Sequence, residues 1–409
     1  MRRSFLALAA ALGCIDEPGS LVTGYPDGAA FPEAPFWKNV PAGGAAIVTN
    51  NYGDSLSIVD LAARASLGDL PVGLNPVERE GPHHDAVSPD GTRLFVGISN
   101  FVQGSGSGPH GAHGTGAADG YALMLDTATM ALSASHRVDR SPGDVTVNAE
   151  GTRAYVSHFD LLRVIEAIDA GEPEEETYAT IAVLDAATFE EIARPTVCPT
   201  PHGIRLSADG SQLYVACYNG DQIAIVDTET FEVTRVPVAP DVVPPPNARY
   251  LPNSVHVSPA DGRVWIANLG TGELRVLDPA KRAIDTECIV QVGGQPYFGK
   301  FLDDGATFVL PVQGADATDL AWIDAASCEV AERQTLAAAD CRAGHMLLAG
   351  PEGDDGPGYL VCEGNRADPG TFVFFDSLRP GGKVEAVVPV GVFPDGAVLV
   401  YPGLGINPP

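Results

Sequence analysis

Basic residues are scarce in this 409-residue chain: 24 Lys and Arg stand against 53 Asp and Glu, for a formal net charge of −29. A field of that sign repels phosphate backbones and anionic lipid headgroups, which argues against nucleic acid as a partner. No apolar run reaches the ~20 residues that a membrane-spanning helix needs. Catalytic signatures are missing too. There is no Gly-x-Ser-x-Gly, no Walker-type glycine loop and no His-Glu-x-x-His, so the common hydrolase, nucleotide and zinc-protease motifs drop out. The absence of Cys-x-x-Cys and Cys-x-x-Cys-His removes a thioredoxin-like redox site and covalent c-type haem.

What is present begins with a short leader. Arg2 and Arg3 precede an apolar run from Phe5 to Leu12, and Ala11-Leu12-Gly13-Cys14 is a small-residue cleavage site. That is the pattern of a secretion signal. It resembles a bacterial lipobox, which implies lipidation of Cys14, although Ala11 stands where the usual lipobox has leucine. Residues 1–14 are therefore read as signal, 15–41 as linker, 42–401 as the folded domain and 402–409 as a tail. The expected location is the bacterial cell envelope, in the periplasm or at the outer membrane, with the lipid as the only membrane contact. Setting Cys14 aside leaves six cysteines, an even number that implies disulfides in an exported chain. Fifteen pairings are formally open. The repeat narrows them: Cys198 and Cys341 each precede a histidine by four residues, and each is followed about twenty residues later by a cysteine that closes a strand. Equivalent positions imply Cys198–Cys217 and Cys341–Cys362, which leaves Cys288–Cys328.

The repeat itself is a short apolar strand ending in aspartate. Asp60, Asp126, Asp185, Asp227, Asp278, Asp324 and Asp376 close seven such strands, at spacings of 66, 59, 42, 51, 46 and 52 residues. Periods of ~40–50 residues built from short strands mark a β-propeller with one four-stranded blade per period. The aspartates read as caps of the turn that follows rather than as catalytic groups. Asp90-Gly91, Glu150-Gly151, Asp209-Gly210, Asp261-Gly262 and Asp304-Gly305 read as hairpin turns whose positive φ glycine tolerates. Blade one lacks an inner strand, and residues 393–400 form an inner strand without a blade. The expected fold is all-β: a seven-bladed propeller closed by pairing this C-terminal strand with the N-terminal blade.

Ile47-Val48-Thr49-Asn50, Tyr155-Val156-Ser157-His158, Tyr214-Val215-Ala216-Cys217 and Trp265-Ile266-Ala267-Asn268, with Ser88-Pro89-Asp90-Gly91 and the Ile-Val-Asp endings, resemble the YVTN-type β-propeller repeat. The resemblance covers roughly residues 42–400 and implies the fold. It leaves the chemistry open, since related propellers include binding proteins, lactonases and the propeller domains of copper and haem enzymes.

One face of such a ring carries the starts of the inner strands and the loops after the second strands. The residue after each lead-in proline gives His83, Gly143, His202, Asn253, Tyr297 and Asp395, with His345 after Gly344. His83, His84, His202, Asn253, Tyr297, His345 and Asp395 are the candidate ligand-binding set. Blades seven, one and two adjoin on this reading, which groups His83, His84, His345 and Asp395 as candidate ligands for a divalent or transition metal ion. Opposite walls are expected to lie too far apart to share an ion. Two long loops overhang this face: residues 100–120, with His110 and His113, and residues 159–178, with a short helix and the acidic run from Glu172 to Glu176. The first-choice function is an exported, monomeric binding or scaffold module for a protein or small molecule. Its alternatives are a metal-dependent enzyme at the His/Asp site and a lactonase-like hydrolase using Asp395, Asp85 or Asp144.

Overall fold

The computed structural model describes residues 31–73, 80–99, 116–240, 242 and 249–408. Cys14, the leader, His110 and His113 lie outside them. Seven antiparallel sheets follow one another along the chain, and seven separate apolar clusters fill the seven contacts between neighbouring blades. The chain is a seven-bladed β-propeller.

Each period yields its blade from the centre outward. In blade four these are Pro201–Leu206, Gln212–Cys217, Gln222–Asp227 and Val233–Pro237. Side chains alternate across each strand, so a blade offers one apolar face to each neighbour. The closing strand shows this plainly. Pro394–Tyr401 pairs with Ala45–Asn50, with Ala45 opposite Val400 and Val48 opposite Ala397. Val398 and Val400 pack toward blade two, while Ala397 and Leu399 pack toward blade seven. Residues 402–409, read as a tail, contribute a further short strand, Leu404–Ile406, on the flank of Pro394–Tyr401. The last part of the presumed linker is also docked, with buried Trp37 donating its Nε1–H to the Thr127 carbonyl at 2.9 Å.

All seven repeated aspartates cap turns. Asp60, Asp126, Asp185, Asp227, Asp278 and Asp324 each accept the amide N–H three residues on, at 2.7–3.1 Å. Asp376 accepts the amide of Lys383 at 2.7 Å. One residue beyond the first six amides, Arg64, Met130, Phe189, Phe231, Arg282 and Cys328 all have positive φ. The side chains of Met130 and Phe189 are buried, and that packing offsets the ~1–2 kcal/mol cost of the left-handed conformation.

Three disulfides join Cys198–Cys217, Cys288–Cys328 and Cys341–Cys362, matching the pairing read from the repeat. They fit an oxidising compartment outside the cytoplasm. Among the described residues no helix is long and apolar enough to cross a membrane.

Deleting residues 393–409 removes the inner strand of blade one, bares the edge of Ala45–Asn50 and strips two apolar clusters at once. The truncated protein should melt about 10 °C or more below the full chain. Melting at the full-length temperature by calorimetry would contradict closure from both ends.

Candidate functional site

Inner strands deliver the site, and a backbone irregularity at their start aims it. In blades two, three and four the register shifts between the lead-in proline and the third residue after it: Pro82 to Asp85, Pro142 to Val145 and Pro201 to Ile204. Such a bulge breaks the alternation of side chains. His83 and His84 are consecutive, yet both rings lie in the channel, stacked at 4.3 Å between centroids.

The candidate residues are fully buried and come together. His83 Nδ1 lies 2.6 Å from Asp395 Oδ2, and Asp395 also accepts the Thr49 hydroxyl at 3.0 Å. His84 Nδ1 lies 2.9 Å from Asp144 Oδ1. His345 Nδ1 lies 2.7 Å from Glu363 Oε1. His202 Nδ1 donates to the Asn253 carbonyl at 2.9 Å. The His84 ring stands 5.6 Å from those of His202 and His345. Tyr297 packs on His345 at 4.9 Å. Asn253 thus serves through its backbone; its buried side-chain amide has no hydrogen-bond partner among the described residues.

Side chains from blades that are not adjacent also meet in the channel. His83 of blade two and His202 of blade four face each other with Nε2 atoms 3.2 Å apart. Blade three contributes Gly143 at the equivalent ring position, and a Cβ there would already stand 3.0 Å from Ser157 Oγ and 3.2 Å from the Pro201 carbonyl. Blade three thus has no side chain at this ring position, and its nearest contribution is Asp144, one residue on.

Phe298 closes the channel among these rings, 5.1 Å from His84 and 5.5 Å from His345. It gets there because the inner strand of blade six is broken into Gln295–Pro296 and Lys300–Leu302. Between them, Phe298 pairs with blade seven instead, donating its N–H to the His345 carbonyl and accepting that of Leu347, both at 3.0 Å. No sequence signal marks Phe298. Glu363 and Phe159 were also missed, yet a signal existed: both immediately follow a second strand, as Asn51 does.

Burial governs the charges. It pushes the Asp85 and Asp395 carboxyls well above their usual range, so both favour the protonated form. Burial acts the same way on Asp144, but the Arg205 guanidinium, His84 and the Ile204 amide outweigh it and hold that carboxyl below the ordinary range. His202 is brought down to about 3, mainly by burial. Burial also lowers His84, against the opposing pull of Asp144.

No family model matches the chain, and no curated protein matches it. Solved structures do. A functionally unknown protein from Desulfotomaculum acetoxidans aligns at TM-score 0.63 and 11% identity, over 88% of this chain and 99% of that one. The periplasmic gluconolactonase of Pseudomonas aeruginosa aligns at 0.59 and 18%, over 88% and 99%. A β-propeller domain from Myceliophteria thermophila aligns at 0.54 and 11%, over 75% and 85%. At these identities the likeness concerns the fold.

Arg205 and Asp144 form a buried Arg–carboxylate contact that ties blade four to the partner of His84, at 2.8 Å. Arg205→Met should destabilise the protein by about 3–5 kcal/mol, because it leaves Asp144 buried without its cation. Adding Asp144→Asn should restore part of that loss. Urea unfolding of the two variants checks this, and additive losses would contradict the coupling.

Proposed function

We propose that the chain is an exported, YVTN-type, monomeric propeller that works as a binding module, held at the bacterial envelope by a lipid on Cys14. Its partner is a protein segment that docks on the channel face. The observation that carries this reading is helix α1, Leu161–Ala170, in the loop after the second strand of blade three. Asp160 caps its start by accepting the Arg163 amide, and Gly171, at φ 70°, ends it. Val164 and Ala167 are buried against the body, but Ile165 is 41% and Ile168 63% exposed. Leu161, Ile165 and Ile168 share one face at i, i+4 and i+7, so the helix is apolar on its outer side as well.

Charge selects the occupant. Glu166, Asp169, Glu172, Glu174, Glu175 and Glu176 are all exposed around this stripe, and the last turn carries no basic residue. Carboxylates beside the negative end of a helix are unfavourable. A segment with apolar side chains flanked by Lys or Arg would relieve that repulsion and cover the isoleucines. A second copy of this chain, also at −29, would be repelled.

The hydrolase alternative has less support. Asp85 and Asp395 are raised by burial, while Asp144 accepts from Arg205 and from the Ile204 and Val145 amides. None of the three is a free base poised on solvent.

A photo-crosslinking residue placed at Ile168 or Tyr218, on the channel face, should yield one discrete protein adduct in native cells. The same residue at Asp209 or Asp261, on the opposite face, should not. Adducts from the opposite face, or none from either, would overturn the binding reading. An Ile165→Ser/Ile168→Ser variant that keeps the Tyr218 adduct would leave channel-face binding standing and remove α1 from it.

A further inference from the structure

The four channel histidines share a feature independent of any docking partner. Each has its Nδ1 held by a fixed partner: acceptors Asp144 for His84, Glu363 for His345 and the Asn253 carbonyl for His202, and the buried Asp395 carboxyl for His83, all within 2.9 Å. The partners are themselves held, Asp144 by Arg205, Asp395 by Thr49 and Glu363 by Gln313 and Arg366. Anchoring Nδ1 in this way fixes the ring and leaves Nε2 as the ligating nitrogen. It is how proteins orient metal-binding imidazoles.

We propose that His83, His84, His202 and His345 bind one first-row transition ion of the imidazole-preferring kind, zinc, copper or iron(II), through their Nε2 atoms on the channel axis. Asp395, first read as a ligand, is instead an outer partner, and His202 takes its place.

Three observations support the assignment. The Nε2 atoms of His83 and His202 are 3.2 Å apart; with bonds of about 2.1 Å, an ion between them would subtend an angle of about 100°. Four of the six ring pairs have centroid separations of 4.3 Å (His83–His84), 5.4 Å (His83–His202) and 5.6 Å (both His84–His202 and His84–His345). Imidazoles bound cis or tetrahedrally to one ion have centroids roughly 4.5–5.5 Å apart, close to these four separations. The His84 Nε2 is buried with no hydrogen-bond partner among the described residues, as a ligating nitrogen must be. Among those residues no three His, Cys, Asp or Glu side chains already close on one point, so the ion must draw the rings inward. His202, donating its Nδ1–H to a carbonyl, presents a lone pair at Nε2. An ion would replace the proton that otherwise sits between His202 and His83. Phe298 and Phe159, the latter 5.2 Å from His202, shield the position from water.

The test uses the full-length protein, stripped with chelator and then given Zn(II), Cu(II) or Co(II) singly under reversible titration. One equivalent should bind, with Co(II) showing the ligand-field bands of nitrogen coordination and the ion raising the melting temperature. His84→Ala and His202→Ala should each weaken binding at least 100-fold. Asp395→Asn and Glu363→Gln should keep the stoichiometry and weaken it about 10–100-fold, while surface His136→Ala leaves it unchanged. If an alanine variant fails to fold, the Asp395→Asn and Glu363→Gln titrations decide. Failure of all three ions to bind stoichiometrically, or binding indifferent to the channel variants, overturns the proposal.

Discussion

The contact between His83 and His202 across the channel is the constraint that the centre of this molecule is built around. Two imidazoles from blades that are not neighbours lie within hydrogen-bond reach, and the intervening blade has glycine, Gly143, at the equivalent position, where a Cβ would crowd Ser157 and Pro201. The contact requires the bulges that turn consecutive residues inward. Asp395 reaches His83 only because the closing strand, Pro394–Tyr401, has returned to blade one. Ring closure and site assembly are therefore one event: chain from both ends must be in place before the axial cluster exists.

This explains a division of labour within the blade. The outer strands and turns use interchangeable chemistry, such as aspartate caps and alternating Val and Ile, repeated with little regard to position in the ring. The innermost residues differ from blade to blade: His-His in blade two, Gly-Asp in three, His-Gly in four and an interrupted strand in six. Seven similar blades supply rigidity, and a few dissimilar residues at their inner ends supply whatever chemistry the protein has. Helix α1 stands at the rim of this centre. It begins two residues after Phe159, whose ring packs against His202, so the exposed isoleucine stripe and the buried cluster share one loop.

Much of this was legible in the sequence. The seven Asp-ended strands gave the blade count, the orphan strand at 393–400 gave the closure, and the equivalence of two Cys-x-x-x-His segments gave the disulfides. Each rests on local chemistry repeated at a period, which a single chain displays. The residues after the lead-in prolines include His83 and His202, which the structure places at the channel with His84 and His345. The partnerships inside the channel were not legible, because they depend on how far the inner strands lean toward the axis. The approach of His202 to His83, from a blade that is not its neighbour, is such a partnership. Phe298 was invisible because it leaves its own sheet for the next one. Glu363 was hidden among the many carboxylates of an acidic chain, although its place directly after a second strand would have marked it.

The claim on which the rest turns is that the channel imidazoles are aimed by partners on Nδ1. Long-range ¹H–¹⁵N spectra of histidine-labelled, chelator-stripped protein at neutral pH measure this directly. The account requires His84, His202 and His345 to carry their proton on Nδ1 and to leave Nε2 unprotonated. If these residues were found as Nε2–H tautomers, or exchanging freely between the two forms, the channel would be an ordinary polar core with no direction built into it.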